Sequence, residues 1–138
     1  MANQIIIDRG NNTRAVRSLQ AAAARVRGGE NVIIFPEGTR SSDAVLHDFK
    51  SGGFHLAIQS GVPIVPVTVS GTHRITPRGS LRIESGRVSI RYGKPVPTQG
   101  LEVENRNDLK KRVREAILAG YDPLLQPQGG RPEPSGPV

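Results

Sequence analysis

The chain has 138 residues and a mass of 14.8 kDa, which is the size of a single domain. It has no cysteine, which excludes disulfides and thiolate metal sites, and its 3 histidines are too scattered to form a metal site. The net charge of +7 predicts an acidic partner: nucleic acid, an anionic membrane surface or a phosphorylated substrate. Nucleic acid is disfavoured because the arginines are dispersed and aromatic residues make up only 4% of the chain.

The sequence shows neither a secretion signal nor a membrane span. The N-terminal residues do not combine a basic region with an apolar stretch, and no apolar run approaches the roughly 20 residues that cross a bilayer. We therefore expect the chain as given to be soluble, unprocessed and cytoplasmic.

The first half of the chain alternates predicted strands with predicted helices. Short apolar, β-branched segments predict buried strands over residues 4–8, 31–35 and 64–69. Helical spacing of apolar residues predicts helices over residues 13–27 and 53–60, each followed by glycine. This β-α-β-α-β order predicts an α/β fold with a mostly parallel sheet flanked by helices.

The second half predicts a mixed edge and a last helix. Residues 81–84 and 87–92 are separated by Ser-Gly, which predicts an antiparallel hairpin at one side of the sheet. An apolar stripe predicts a helix over residues 107–119. We expect one domain over residues 1–122 and a disordered, Pro- and Gly-rich tail over residues 123–138.

The loop after the second predicted strand holds a candidate phosphate site. It lies outside the carboxyl end of the strand, where α/β proteins bind ligands. Gly38 lets the backbone approach a ligand, and the planar fork of Arg40 suits phosphate oxygens. Glu37 would repel a phosphate, so we expect it to orient Arg40 or to accept a hydrogen bond from a substrate hydroxyl. The alternative is a solvated turn with a surface ion pair.

A second arginine favours the binding interpretation. Arg9 leaves the end of the first predicted strand as Arg40 leaves the loop after the second. Parallel β-α-β geometry brings both to the same edge of the sheet. Two cations at one crevice indicate a dianion, such as a phosphomonoester.

These segments resemble motifs of the 1-acyl-sn-glycerol-3-phosphate acyltransferase family. Residues 35–41, Phe-Pro-Glu-Gly-Thr-Arg-Ser, are similar to the family's F-P-E-G-T-R-S block. Residues 62–67, Val-Pro-Ile-Val-Pro-Val, are similar to its V-P-I-V-P-V block. Three further segments follow the family in order and spacing: residues 5–9, 49–57 and 70–72.

The resemblance implies a truncated glycerolipid-acyltransferase-like fold and a reaction. An acyl group would pass from acyl-CoA or acyl-carrier protein to the free hydroxyl of lysophosphatidic acid, giving phosphatidic acid. The glycerol-phosphate would be bound by Arg9, Glu37, Gly38, Thr39 and Arg40. No cofactor is implied. The complete protein would associate with an anionic membrane surface on the cytoplasmic side.

The sequence departs from the family at the catalytic base. In the family, a histidine in an H-x-x-x-x-D block deprotonates the acceptor hydroxyl, which otherwise attacks a thioester poorly. No histidine here has an acid at that spacing, because the fifth residues after His47, His55 and His73 are Gly52, Ser60 and Arg78. We therefore predict no catalytic residue in this chain and no activity from it alone. His55 is expected to be partly buried on its helix, and His47 to lie on a surface loop.

Three interpretations stay open at this point. The sequence could be an N-terminally incomplete acyltransferase, with the H-x-x-x-x-D block upstream. It could be a binding module that holds an anionic lysolipid or a membrane surface through Arg9 and Arg40 without chemistry. It could also be a decayed product that does not fold, because removing strands from a parallel sheet exposes an apolar edge.

Overall fold

The computed structural model describes residues 12–39, 45–75 and 83–125. The helices are α1 (Asn12–Arg27), α2 (Gly52–Ser60), α3 (Thr72–Ile75) and α4 (Arg106–Ala119). The strands are β1 (Val67–Ser70) and β2 (Ser89–Tyr92), and short 3-10 turns occupy Val103–Asn105 and Pro123–Leu125. The three long helices confirm the helices predicted from apolar spacing.

Helices α1 and α2 pack together through small and branched side chains. Ala22, Ala23 and Val26 of α1 form a buried cluster with Leu56 of α2. Helix α2 ends at Gly61, as predicted, where a φ of 70° places the backbone in the left-handed region and the N–H donates to the Ala57 carbonyl. The glycines after both helices therefore end them, and the α1–α2 pair forms one side of the core.

Helix α4 closes the other side of the core. Its stripe of Leu109, Val113 and Ile117 is buried, as the sequence predicts. The stripe packs in one cluster with Phe49 and Phe54, whose stacked rings have centroids 6.0 Å apart. Burying each of these large side chains contributes about 1.5–3 kcal/mol, so this cluster is a main source of stability.

The only sheet within the described ranges is antiparallel. Strand β1 pairs with β2 in the register Val67 to Tyr92, and Ile64 and Val96 form a separate antiparallel bridge. Pro66 interrupts the ladder between the bridge and β1 because proline has no N–H to donate. The predicted strand over residues 64–69 is thus confirmed in its second half and shortened in its first.

The predicted hairpin around Ser-Gly is wrong. The second predicted strand of the hairpin is present as β2, but it pairs with β1, and the described residues 83 and 84 form no strand. Glu84 is not in a strand, since its N–H donates to the carbonyl of Ile75, the last residue of α3, at 3.0 Å. Residues 81 and 82 lie outside the described residues. A Ser-Gly pair permits a tight turn, but here the backbone of Glu84, just before that pair, is hydrogen-bonded to Ile75.

The predicted strand over residues 31–35 is not confirmed, because this segment forms no ladder with any described residue. Its apolar side chains instead face an open groove of about 700 Å³, lined by residues 31–34 on one side and 62–67 on the other. Ile33 and Phe35 are 85% and 82% exposed. The predicted strand over residues 4–8 lies outside the described residues, and no parallel pairing occurs in the part that is described.

The described fold extends slightly past the expected domain boundary at residue 122. Pro123–Leu125, which we expected to open a disordered tail, forms a 3-10 turn, and Leu125 is buried. Residues 126–138 lie outside the described residues. Within the described ranges, none of the helices has the length and apolar character needed to cross a membrane.

Gly120 permits the close packing of α4 on β1. A Cβ at this position would collide with the buried Thr68 hydroxyl, which donates to the Ile117 carbonyl at 2.7 Å. We therefore expect Gly120→Ala to lower the free energy of unfolding by about 1–3 kcal/mol, measured by urea denaturation. Gly52→Ala is the matched control, since no atom lies within 4 Å of its added Cβ. Equal losses in both variants would contradict this account.

Candidate functional site

The predicted binding loop is a tight turn. The Gly38 N–H donates to the Phe35 carbonyl at 3.0 Å, and a φ of 73° at Gly38 is a left-handed conformation that favours glycine. Glu37 is half-buried, and Thr39 is exposed. Arg9 and Arg40 lie outside the described residues, so their convergence on one crevice stays a prediction.

The turn is hydrogen-bonded to the segment that precedes α2. Glu37 Oε2 accepts a hydrogen bond from the His47 backbone N–H at 3.0 Å. The Lys50 N–H donates to the Pro36 carbonyl at 2.7 Å. The sequence predicts that Glu37 interacts with Arg40 or with a substrate hydroxyl. The hydrogen bond from the His47 backbone N–H was not predicted. Nothing in the sequence signals it, because the donor is a main-chain group that every residue except proline carries.

Helix α4 brings a positive charge to the same region. Arg114 donates a hydrogen bond to the Leu46 carbonyl at 2.8 Å. Tyr121, just after α4, is half-buried and packs against the core cluster around Phe49 and Phe54. Burial raises the pKa of the Tyr121 phenol, the Glu37 carboxylate raises it further, and the Arg114 guanidinium lowers it. Arg114 and Tyr121, which no sequence motif singles out, therefore belong to the surroundings of the loop.

His55 is a hydrogen-bonded, partly buried histidine, as predicted. Its Nε2 lies 2.9 Å from an Arg106 guanidinium nitrogen. Because arginine can only donate, Nε2 accepts, and the ring is the neutral tautomer with its proton on Nδ1. Burial lowers the pKa of His55, and the positive charge of Arg106 lowers it further. Nε2 thus already accepts a hydrogen bond from Arg106.

The other two histidines differ in their surroundings. The His47 side chain is exposed on a loop, as predicted, and the His47 backbone N–H donates to Glu37. His73 lies in the short helix α3 after β1. Across the described ranges, no three acidic or histidine side chains are grouped as a metal site requires.

A protein-family model described as Acyltransferase matches residues 1–70, which is half of the chain. The chain belongs to the acyltransferase family. The matched region of this acyltransferase chain includes the turn at Glu37 and Gly38 and the whole of α2. The family is therefore established on the segment that carries the candidate site.

Curated relatives extend the similarity over most of the acyltransferase chain. The 1-acyl-sn-glycerol-3-phosphate acyltransferase of Cocos nucifera is 40% identical over 127 residues, covering 91% of this chain and 41% of the relative. That of Limnanthes alba is 36% identical, covering 94% and 46%. The human alpha form is 34% identical, covering 94% and 50%. The chain thus spans about half the length of these relatives, or somewhat less.

A solved structure agrees with the fold. The 1-acyl-sn-glycerophosphate (LPA) acyltransferase PlsC of Thermotoga maritima has a TM-score of 0.67 and 36% sequence identity to this chain. The match covers 75% of this chain and 42% of PlsC. The described part of the acyltransferase chain therefore has the fold of the corresponding part of PlsC.

The His55–Arg106 contact predicts an acid-sensitive contribution to stability. The pKa of folded His55 lies below its ordinary value of 6.5, so the unfolded state takes up the proton more readily. The contribution is present above about pH 6.5 and is lost as the pH falls through the lower folded pKa. We expect the urea midpoint of the wild type to fall more than that of His55→Gln between about pH 7.5 and about pH 5.

In this comparison, glutamine keeps an acceptor for Arg106 but does not titrate. The difference between the two pH dependences therefore isolates the imidazole from the carboxylates, which titrate in both variants. Identical pH dependences would contradict the assignment.

The charges around Tyr121 can be tested by its own titration. In a Tyr92→Phe background, Tyr121 is the only tyrosine, and tyrosinate absorbance reports its ionisation. We expect Glu37→Gln to lower the pKa of Tyr121 by removing a negative charge, and Arg114→Ala to raise it by removing a positive one. Arg112→Ala, which removes a charge from the exposed side of α4, should have a smaller effect. If neither Glu37→Gln nor Arg114→Ala changed the pKa of Tyr121, the two charges would not lie near the Tyr121 phenol.

Proposed function

We propose that this chain is the glycerol-phosphate-binding part of an enzyme that acylates lysophosphatidic acid to phosphatidic acid. The observation that carries the proposal is the Glu37–Gly38 turn, which stands within the segment matched to the family. The relatives named 1-acyl-sn-glycerol-3-phosphate acyltransferase, at 34–40% identity, support the same acceptor. The net charge of +7 suits a phosphorylated acceptor.

In the proposed reaction, the free hydroxyl oxygen of the acceptor attacks the thioester carbonyl carbon of the acyl donor. An ester bond forms, the carbon–sulfur bond breaks, and the thiol leaves while the hydroxyl proton passes to a base. The donor would be acyl-CoA or acyl-carrier protein. Arg9 and Arg40 would bind the phosphate, while Glu37, Gly38 and Thr39 would hold the glycerol portion.

The base itself is proposed to come from outside the given sequence. None of the three histidines has a following aspartate at the H-x-x-x-x-D spacing. His55, moreover, accepts from Arg106 and so has no free Nε2 for a substrate. We propose that a segment with an H-x-x-x-x-D block supplies the base, and that this chain binds the acceptor without turning it over.

The larger architecture follows the same proposal. Residues 4–8, 31–35 and 64–69 would be neighbouring strands of a mostly parallel sheet. Pairing of residues 31–35 with residues 64–69 would close the groove that lies between these two segments. The domain would span residues 1–122, followed by a tail. The complete protein would act at the cytoplasmic face of a membrane.

Exposed apolar side chains support a second candidate function, that of a non-catalytic module on an anionic membrane surface. Ile33, Phe35 and Tyr92 are all largely exposed, in a chain whose net charge is +7. Apolar side chains can enter the interface while basic residues attract anionic lipids. This function would need the same cations but no base.

Arg40 is the first residue to test. We expect Arg40→Ala to weaken binding of a short-chain lysophosphatidic acid by roughly tenfold to a hundredfold, because a charge-assisted hydrogen bond is worth about 1.5–3 kcal/mol. Affinity is measured by calorimetry on the full 138-residue chain with monomeric lipid. Arg112→Ala, a surface arginine of α4, should bind as the wild type does.

The same samples decide between the two candidate functions and test the missing base. Preference for lysophosphatidic acid over anionic vesicles supports the acceptor site, whereas vesicle binding alone supports the membrane module. Unchanged affinity in Arg40→Ala would contradict the site. Phosphatidic acid formed from acyl-CoA by the purified chain would contradict the proposal that its base lies elsewhere.

A further inference from the structure

One peptide unit connects Glu37 to Arg114. The carbonyl of Leu46 accepts a hydrogen bond from Arg114 at 2.8 Å, and the N–H of the next residue, His47, donates to Glu37 at 3.0 Å. These two groups belong to the same planar amide. A guanidinium therefore acts on one end of this amide and a carboxylate on the other.

The two charges reinforce one another across the amide. A cation at the carbonyl oxygen and an anion at the N–H both polarise the peptide unit in the same direction. Hydrogen bonds polarised in this way strengthen cooperatively, and those to ionised groups are stronger than neutral ones. Glu37 is therefore held more firmly with Arg114 in place than by the amide alone.

The surroundings hold this arrangement in place. Leu46 is only 7% exposed and belongs to the core cluster, together with Val113, which precedes Arg114 in the chain. The hydrogen bond from Lys50 to the Pro36 carbonyl fixes the other end of the loop segment.

We infer that Arg114 is a positioning residue for the acceptor site, acting on Glu37 through the Leu46–His47 peptide unit. The inference rests on the proposed function, in which Glu37 contacts the glycerol portion of the acceptor. Arg114 lies outside the segments that resemble family motifs and outside residues 1–70, which the family model matches. Its side chain need not touch the acceptor, because it fixes the direction in which Glu37 accepts.

The His47 amide proton is a direct reporter of this connection. We compare its chemical shift and hydrogen exchange by NMR in the wild type, Arg114→Ala, Glu37→Gln and Arg112→Ala. Arg114→Ala and Glu37→Gln are both expected to move the resonance and speed its exchange, since each weakens the same hydrogen bond. Arg112→Ala removes the same charge from the same helix without contacting the loop, and it should leave the His47 amide unchanged.

Acceptor binding provides the second readout. We expect Arg114→Ala to weaken the affinity for short-chain lysophosphatidic acid by roughly tenfold. Arg114→Lys should recover part of this loss, because an ammonium can still donate one hydrogen bond to the Leu46 carbonyl. The double variant Arg114→Ala/Glu37→Gln should bind no more weakly than Glu37→Gln alone, since residues that act through one another are not additive.

Several outcomes would overturn the inference. If the chemical shift and exchange rate of the His47 amide did not change in Arg114→Ala, Arg114 would not act on Glu37 through this amide. If the losses of affinity in Arg114→Ala and Glu37→Gln were additive, Arg114 would act independently of Glu37. An equal loss of affinity in Arg112→Ala would indicate that the effect of Arg114→Ala comes only from the lost positive charge at long range. If circular dichroism shows that Arg114→Ala is unfolded, the same comparisons are made with Arg114→Lys.

Failure of the proposed function gives a different pattern. If the wild type does not bind lysophosphatidic acid, the proposed acceptor site fails. The His47 amide then still shows whether Arg114 holds Glu37, because that measurement needs no ligand.

Discussion

The packing of α4 on the two phenylalanine rings is the contact on which the described structure depends. Leu109, Val113 and Ile117 come from late in the chain and cover Phe49 and Phe54, which flank the start of α2. This burial joins segments that are far apart in sequence. It also brings Arg114, on the rim of the same helix face, to the backbone of the segment that holds the Glu37 turn.

The candidate site is therefore built by two kinds of contact. Local geometry forms the turn itself, through the Gly38 conformation and its hydrogen bond to Phe35. Tertiary contacts fix its direction, through the His47 amide and the guanidinium of Arg114. An acidic residue in a loop that is proposed to bind phosphate is unfavourable unless its charge is directed, and the peptide unit between Glu37 and Arg114 gives the structure a means of directing it.

The apolar surface that stays open is consistent with a chain about half as long as its acyltransferase relatives. Ile33 lines a groove, Phe35 is largely exposed, and β1 has a hydrogen-bonded partner on only one side among the described residues. Unpaired backbone and exposed β-branched side chains are the features that sheets normally cover.

The sequence by itself determined the long helices, their glycine ends and the family, because apolar spacing and short motifs are local properties. It also determined that His55 would be partly buried. Tertiary structure decided which strands pair, since residues 31–35 and 87–92 have similar strand-forming composition, yet among the described residues only part of the second has a strand partner. It likewise decided the partners of Glu37, because a backbone N–H from residue 47 and an arginine on α4 come together only after long-range burial, which no local pattern records.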